Sequence, residues 1–263
     1  MGRMSAPPAF AILCEHFMTP HSATRSRSVL VIPALNEERS IAKVIAGVRA
    51  TGIDVDVLVI DDGSRDATAA LARESGAHVI SHPFNLGYGA ALQTGYKYAV
   101  REGYAEVVQM DADGQHDPAY VPRLLAPIRS GEADLVIGSR FLEESGYQMG
   151  SARSAARVFF QRVLVFFGGP HIADPTSGLQ ALSRPVFRFC CSDFYPSDFP
   201  DIDVLLLLHR QGFRIREVPV HMAPSPPERK TMHAGLKTIY YPYKMLLSTF
   251  RSWRTKPSPS AAD

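Results

Sequence analysis

Residues 107–117 read Val-Val-Gln-Met-Asp-Ala-Asp-Gly-Gln-His-Asp, an apolar run that stops at two carboxylates, Asp111 and Asp113, followed by a glycine. Aspartates one residue apart on a turn can aim oxygens at one hard cation. Mg²⁺ or Mn²⁺ held by one or two carboxylates takes its other ligands from water and from substrate phosphates. The chemistry implied is the handling of a diphosphate. An Asp-x-Asp-Gly also makes an ordinary hydrophilic turn, so the rest of the chain must decide between the two. The apolar run reads as a buried strand ending at Asp111, and open α/β sheets bind their ligands at the carboxyl ends of such strands.

The elements around this stretch alternate. Residues 29–32 are apolar throughout, and 55–60 are apolar except for Asp56. Between them Asn36 can cap a helix whose Ile41, Val44, Ile45 and Val48 fall at helical spacing. Asp66 can cap a second helix ending at Gly76, ahead of a short strand at 78–80. A helix over 87–102, the strand ending at Asp111, a helix after Pro118 and a strand at 135–138 continue the pattern. Largely apolar strands separated by amphipathic helices predict an α/β fold with a mainly parallel central sheet covered by helices on both faces.

Composition fits one such domain: 263 residues, 46% hydrophobic and 21% charged, with a net charge of +2. That charge, with no long basic run, excludes a nucleic-acid partner. Cys14, Cys190 and Cys191 show no metal-ligand spacing and no disulfide framework, which favours a reducing, cytoplasmic setting. Residues 1–27 read as a loose tail, 28–233 as the domain and 234–263 as an amphipathic helix with a polar tail.

Five polar clusters fall at successive strand ends: Pro33-Ala34-Leu35-Asn36-Glu37-Glu38, Asp61-Asp62-Gly63-Ser64, Asn85-Leu86-Gly87-Tyr88-Gly89, Asp111-Ala112-Asp113-Gly114-Gln115 and Gly138-Ser139-Arg140-Phe141. Each alone could be a cap or a turn. In series, on a doubly wound sheet, they converge on one crevice. The series resembles family 2 glycosyltransferases of the GT-A fold, and within them the dolichyl or polyprenyl phosphate sugar synthases, over about residues 28–250.

The resemblance implies that Pro33, Asn36 and Glu37 border the nucleotide, that Asp62 faces its base, and that Gly87 and Gly89 let backbone approach the donor. It implies Mg²⁺ or Mn²⁺ on Asp111 and Asp113, with Gln115 as a third ligand, and a phosphate role for Arg140. Asp174 of Asp174-Pro175-Thr176-Ser177-Gly178 would lie beside sugar and acceptor. Asp203 stands where these synthases carry an acid, and Glu217 reads as a structural strand-end residue. Arg229 and Lys230 are further cations for an acceptor phosphate, although Arg229-Lys230-Thr231-Met232-His233 lacks the glycine these synthases usually carry there.

The activity implied is transfer of a sugar from a UDP- or GDP-linked donor to a polyprenyl or dolichyl phosphate, metal-dependent and with inversion. A phosphate acceptor is already an anion and needs no general base, whereas a saccharide or other hydroxyl would need Asp174 or Asp203 as base. A nucleotidyltransferase is disfavoured because residues 33–38 hold neither Gly nor Lys; a non-catalytic nucleotide-sugar-binding partner is the remaining alternative. No apolar run reaches the roughly 18 residues of a membrane span. The segments 158–167 and 236–253 mix aromatic, aliphatic and basic residues as interfacial helices do. They suggest a peripheral position on the inner membrane face, with a homo-oligomer or a membrane protein as possible further partners.

Overall fold

The computed structural model describes residues 27–142, 151–198, 200–223 and 237–254, without the side chains of 151–156 and 237–243. The expectations for residues 1–26, Arg229, Lys230 and His233 lie outside the described residues.

A seven-stranded sheet of order β3-β2-β1-β4-β6-β5-β7 forms the centre. Its strands are β1 (Ser28–Ala34), β2 (Asp56–Asp61), β3 (His78–Ser81), β4 (Glu106–Gln109), β5 (Leu135–Ser139), β6 (Gln180–Ser183) and β7 (Ile215–Pro219). The helices are α1 (Ile41–Ala50), α2 (Thr68–Glu74), α3 (Tyr88–Arg101), α4 (Val121–Arg129), α5 (Ser151–Phe166), α6 (Arg184–Phe189), α7 (Ile202–Arg210) and α8 (Lys237–Arg254). Strands β1, β4 and β5 are buried along their whole length, as strands covered on both faces are, and the buried polar ends Ser28 and Glu106 hydrogen-bond each other. One face packs Val29, Val31, Leu58 and Ile60 against Leu92, Tyr96 and Phe187. The other packs Leu30, Ile32 and Val59 against Ile41, Ile45, Leu124 and Leu125.

Strands β1 to β4 are mutually parallel where they pair, and β5 pairs in parallel with β7. Strand β6 runs antiparallel to both β4 and β5. The reason lies just before it. Ser177 Oγ donates to the Gly138 carbonyl at 2.6 Å, and Gly178 abuts the Asp111 carboxylate. The chain therefore enters β6 from the carboxyl end of its neighbours. This reversal brings the 174–178 segment to the crevice that the parallel strands already define.

Three local expectations are corrected. Asn36 caps no helix: it holds a left-handed φ of 56°, and its Oδ1 accepts from Arg65 N at 2.9 Å, so it ties two loops together while α1 starts after Ser40. Asp66 lies one residue before the cap position Ala67, although its Oδ1 still accepts from Thr68 N at 3.0 Å. The strand delivering the aspartates ends at Gln109, before Met110 and Asp111.

Candidate active site

Asp111 is held on three sides. Tyr88, the first residue of α3, donates its hydroxyl to Asp111 Oδ1 at 2.9 Å. His116 Nε2 stands 3.2 Å from Oδ2, its ring buried. A Cβ on Gly178 would come within 2.4 Å of Oδ2, so only glycine leaves room for the carboxylate. Burial, and then the charge of Asp111 and its hydrogen bond, hold the Tyr88 phenol well above its usual range, which keeps it a donor. An ionised carboxylate only accepts, so His116 must carry its proton on Nε2. Its Nδ1 is buried without a hydrogen-bond partner.

Asp113 Oδ1 accepts from Gln115 N at 3.0 Å, closing the turn. The Gln115 side chain donates to the Ala223 carbonyl at 3.0 Å, the Gln115 backbone carbonyl accepts from Ala223 N at 2.9 Å, and His116 forms a backbone bridge with Met222. The Asp-x-Asp turn is thus laced to residues 222–223, just after β7. As a donor set, two half-buried carboxylates on one turn fit Mg²⁺ or Mn²⁺, which keep several water or phosphate ligands. Among the described residues no group of three His, Cys, Asp or Glu is placed to hold a metal ion.

On the other side of the crevice Arg140 grips Asp174 with both arms, Nε to Oδ2 at 2.6 Å and Nη2 to Oδ1 at 2.7 Å. Asp174 is fully buried and also accepts from Arg140 N at 3.1 Å. Glu217 accepts from the N–H groups of Ala173 and Asp174 at 2.7 and 2.9 Å, so this strand-end acid braces the segment. Asp203 lies elsewhere. It is buried at the start of α7, where Oδ1 accepts from Asp201 N and Val204 N while Ser248 of α8 donates to Oδ2.

Around β1 to β3 the loops hold one another. Pro33 is buried in β1 beside Ile60. Asn36 N donates to Ser64 Oγ at 2.9 Å and Glu37 N to Thr68 Oγ1 at 2.7 Å. Asp62 is buried, 2.7 Å from His82 Nδ1, and accepts from Leu86 N and Gly87 N at 2.9 Å each. It therefore sets the turn that launches Tyr88 toward Asp111. The backbone that closes on Gly87 and Gly89 is that of residues 196–198: a Cβ on Gly89 would meet the Pro196 carbonyl at 2.1 Å, and one on Gly87 the Ser197 carbonyl at 2.6 Å. Gly89 N and Ala90 N donate to the carbonyls of Asp198 and Ser197 at 3.3 and 2.9 Å.

The structure places Asp111, Asp113, Arg140 and Asp174 at the same end of the sheet, and the sequence gives no part to Tyr88 or His116. Both stand inside the quoted clusters, and a histidine five residues after an aspartate at a strand end was the available signal.

A mainly parallel sheet of this strand order, with an Asp-x-Asp turn after its fourth strand, is the GT-A architecture of glycosyltransferases. The chain belongs to glycosyl transferase family 2, whose model matches residues 29–189, and is a glycosyltransferase of the polyprenyl phosphate synthase-like group. It is 33% identical over 207 residues to the polyprenol monophosphomannose synthase of Mycolicibacterium smegmatis, covering 74% of this chain and 76% of that one. It is 30% identical over 223 residues to the undecaprenyl-phosphate mannosyltransferase of Micrococcus luteus, covering 80% and 89%. Among solved structures it resembles glucosyl-3-phosphoglycerate synthase from Mycobacterium tuberculosis in complex with phosphoglyceric acid, with a TM-score of 0.62, 26% identity and coverage of 90% and 82%. That enzyme has also been crystallised with Mn²⁺ and UDP-glucose.

Proposed function

We propose that this enzyme transfers a sugar from a UDP- or GDP-linked donor to a polyprenyl phosphate at a membrane surface, with Mg²⁺ or Mn²⁺ and with inversion. One observation carries the acceptor assignment: both synthases above are named for a polyprenyl phosphate product or acceptor, and each alignment spans about three quarters or more of both chains. The geometry agrees. The two carboxylates nominated as bases for a hydroxyl acceptor are both committed, Asp174 to Arg140 and Asp203 to Ser248. A phosphate oxygen, already anionic, needs neither.

Asp111 and Asp113 would hold the cation, which when bound neutralises charge on the donor diphosphate. Tyr88 and His116 orient Asp111 for that task. Pro33, Asn36, Glu37 and Asp62 would shape the nucleotide side. In the reaction an acceptor phosphate oxygen forms a bond to the anomeric carbon. The bond from that carbon to the diphosphate breaks, and its electron pair leaves on the nucleotide. Attack from the face opposite the leaving group inverts the carbon.

The test is transfer from radiolabelled UDP- and GDP-sugars into the organic phase of mixtures holding polyprenyl phosphate, with Mn²⁺ or with EDTA. Metal-dependent lipid label from one donor is the expected result. Label moving only to a soluble acceptor would sink the polyprenyl assignment while leaving the glycosyltransferase intact.

A further inference from the structure

Among the described residues three donors meet the Asp62 carboxylate, and one acceptor site is left. A carboxylate has about four lone-pair sites, two on each oxygen. Oδ1 of Asp62 takes two donors, His82 Nδ1 at 2.7 Å and Leu86 N at 2.9 Å. Oδ2 takes one, Gly87 N at 2.9 Å. None of the three is easily given up. The His82 ring is almost wholly buried, and its other nitrogen stands 2.9 Å from Thr94 Oγ1 of α3. Leu86 N and Gly87 N belong to the turn that starts α3, and a buried N–H left unpaired is strongly penalised.

The surroundings offer a base surface but little reading power. Asp62 N donates to the Ala34 carbonyl at 2.8 Å, which brings the loop carrying Leu35 alongside. A Cβ on the neighbouring Gly63 would meet the Phe84 backbone at 2.6 Å. The Leu35 and Phe84 side chains are both exposed, and neither can hydrogen-bond a base. Selection between bases therefore falls on Asp62.

The two donors under consideration differ at the edge a carboxylate reads. Guanine presents two adjacent donors, N1–H and the N2 amino group, which together occupy one site on each oxygen. Uracil presents one, N3–H, between two carbonyls. With Oδ1 filled by His82 and Leu86, Asp62 can serve a single N–H on Oδ2. We infer that Asp62 reads the lone imide N–H of uracil, that His82 denies guanine its second acceptor, and that the donor is a UDP-linked sugar. The inference rests on the proposed function, in which Asp62 lies on the nucleotide side.

The experiment measures Kd by calorimetry at fixed Mn²⁺ for UDP, GDP, inosine diphosphate and N3-methyl-UDP. All four share the diphosphate, so differences report the base. UDP should bind wild type at least about tenfold tighter than GDP, the scale on which a polar site rejects a mismatched partner. Inosine diphosphate, which lacks the amino group and keeps one N–H, should bind tighter than GDP. N3-methyl-UDP should bind at least about tenfold weaker than UDP, while 5-methyl-UDP, equally bulky with its N–H intact, binds like UDP. His82→Leu frees a site on Oδ1 and should bring the UDP and GDP values together. Where that variant fails to fold, the nucleotide series on wild type still decides.

GDP binding as tightly as UDP, inosine diphosphate binding more weakly than GDP, or N3-methyl-UDP binding as well as UDP would overturn the inference. An Asp62 that only shapes the turn predicts the last of these. Tight GDP binding with metal-dependent lipid label from a GDP-sugar would discard uracil selection and keep the proposed function. The predicted UDP series with label only in a soluble acceptor would keep uracil selection and discard the polyprenyl acceptor. Binding of neither diphosphate would sink both.

Discussion

At the scale of single residues, the site depends on Asp111 being held still. Tyr88 and His116 each occupy one carboxylate oxygen, and Gly178 supplies the missing volume on the third side. Gly178→Ala would place a methyl group 2.4 Å from Oδ2. The carboxylate can escape only by breaking one of its two hydrogen bonds, and a displacement near 1 Å at a reacting centre costs about 100-fold in rate. Gly178→Ala is therefore expected to lose about 100-fold in kcat, with Tm and circular dichroism close to wild type. Wild-type kcat in this variant would show that Asp111 tolerates the shift. The acids were legible in the sequence because Asp-x-Asp-Gly at the end of an apolar run has few other uses once four similar clusters accompany it. The supports were not legible. A glycine in Asp174-Pro175-Thr176-Ser177-Gly178 reads as a turn residue until the antiparallel β6 shows what it lies against, and contacts between Gly178 and Asp111 cross 67 residues of chain.

At the scale of elements, hydrophobic periodicity exposed the parallel strands and the helices between them, since strands buried on both faces leave runs such as Val29-Leu30-Val31-Ile32. Direction within the sheet was not legible: Leu179-Gln180-Ala181-Leu182 has the same character whichever way it runs. The packing of α8 on α7 was equally hidden, because it turns on one buried acid. Burial pushes Asp203 up to about 6, against the opposing bonds from Ser248, Val204 and Asp201. A carboxyl whose folded pKa is raised gives stability that is complete below its unfolded pKa and lost as pH rises through the folded value. The loss should run from about pH 4 to about pH 6 and amount to roughly 2–3 kcal/mol, at about 1.4 kcal/mol per unit. Asp203→Asn can keep the bonds, its oxygen accepting from the backbone and its amide donating to Ser248. Denaturant titrations across pH 4–8 should show this segment of pH dependence in wild type and not in Asp203→Asn, which becomes the more stable of the two above pH 6. Parallel pH curves would mean that Asp203 is not the group responsible.

At the scale of the whole molecule, the proposed lipid acceptor raises the question of how it would be met by a chain whose described helices include none long and apolar enough to cross a membrane. Helices α5 and α8 converge where Phe167 packs 5.9 Å from Trp253. Around that contact Phe166 is 84% exposed and Leu247 56%, with Val165, Phe250 and Trp253 also open to solvent. Exposed Arg251 and Arg254 lie on the same stretch of α8. Apolar side chains rimmed by cations are what an anionic bilayer surface attracts, each basic residue near it contributing about 1 kcal/mol at moderate salt. The same helix reaches the site, since Lys244 pairs with Asp198, whose carbonyl accepts from Gly89 N just after Tyr88. Seating α8 on a bilayer would thus hold the crevice at the lipid surface without a spanning segment. Co-sedimentation with vesicles containing phosphatidylglycerol should retain wild type and release Leu247→Glu/Phe250→Glu, with binding of wild type weakening as salt shortens the screening length. Transfer to a long-chain acceptor in those vesicles should fall at least about tenfold in the double variant, while transfer to a water-soluble short-chain phosphate stays at the wild-type rate, because two buried apolar contacts and not the chemistry are removed. Equal loss on both acceptors would assign this face to the fold instead of the membrane.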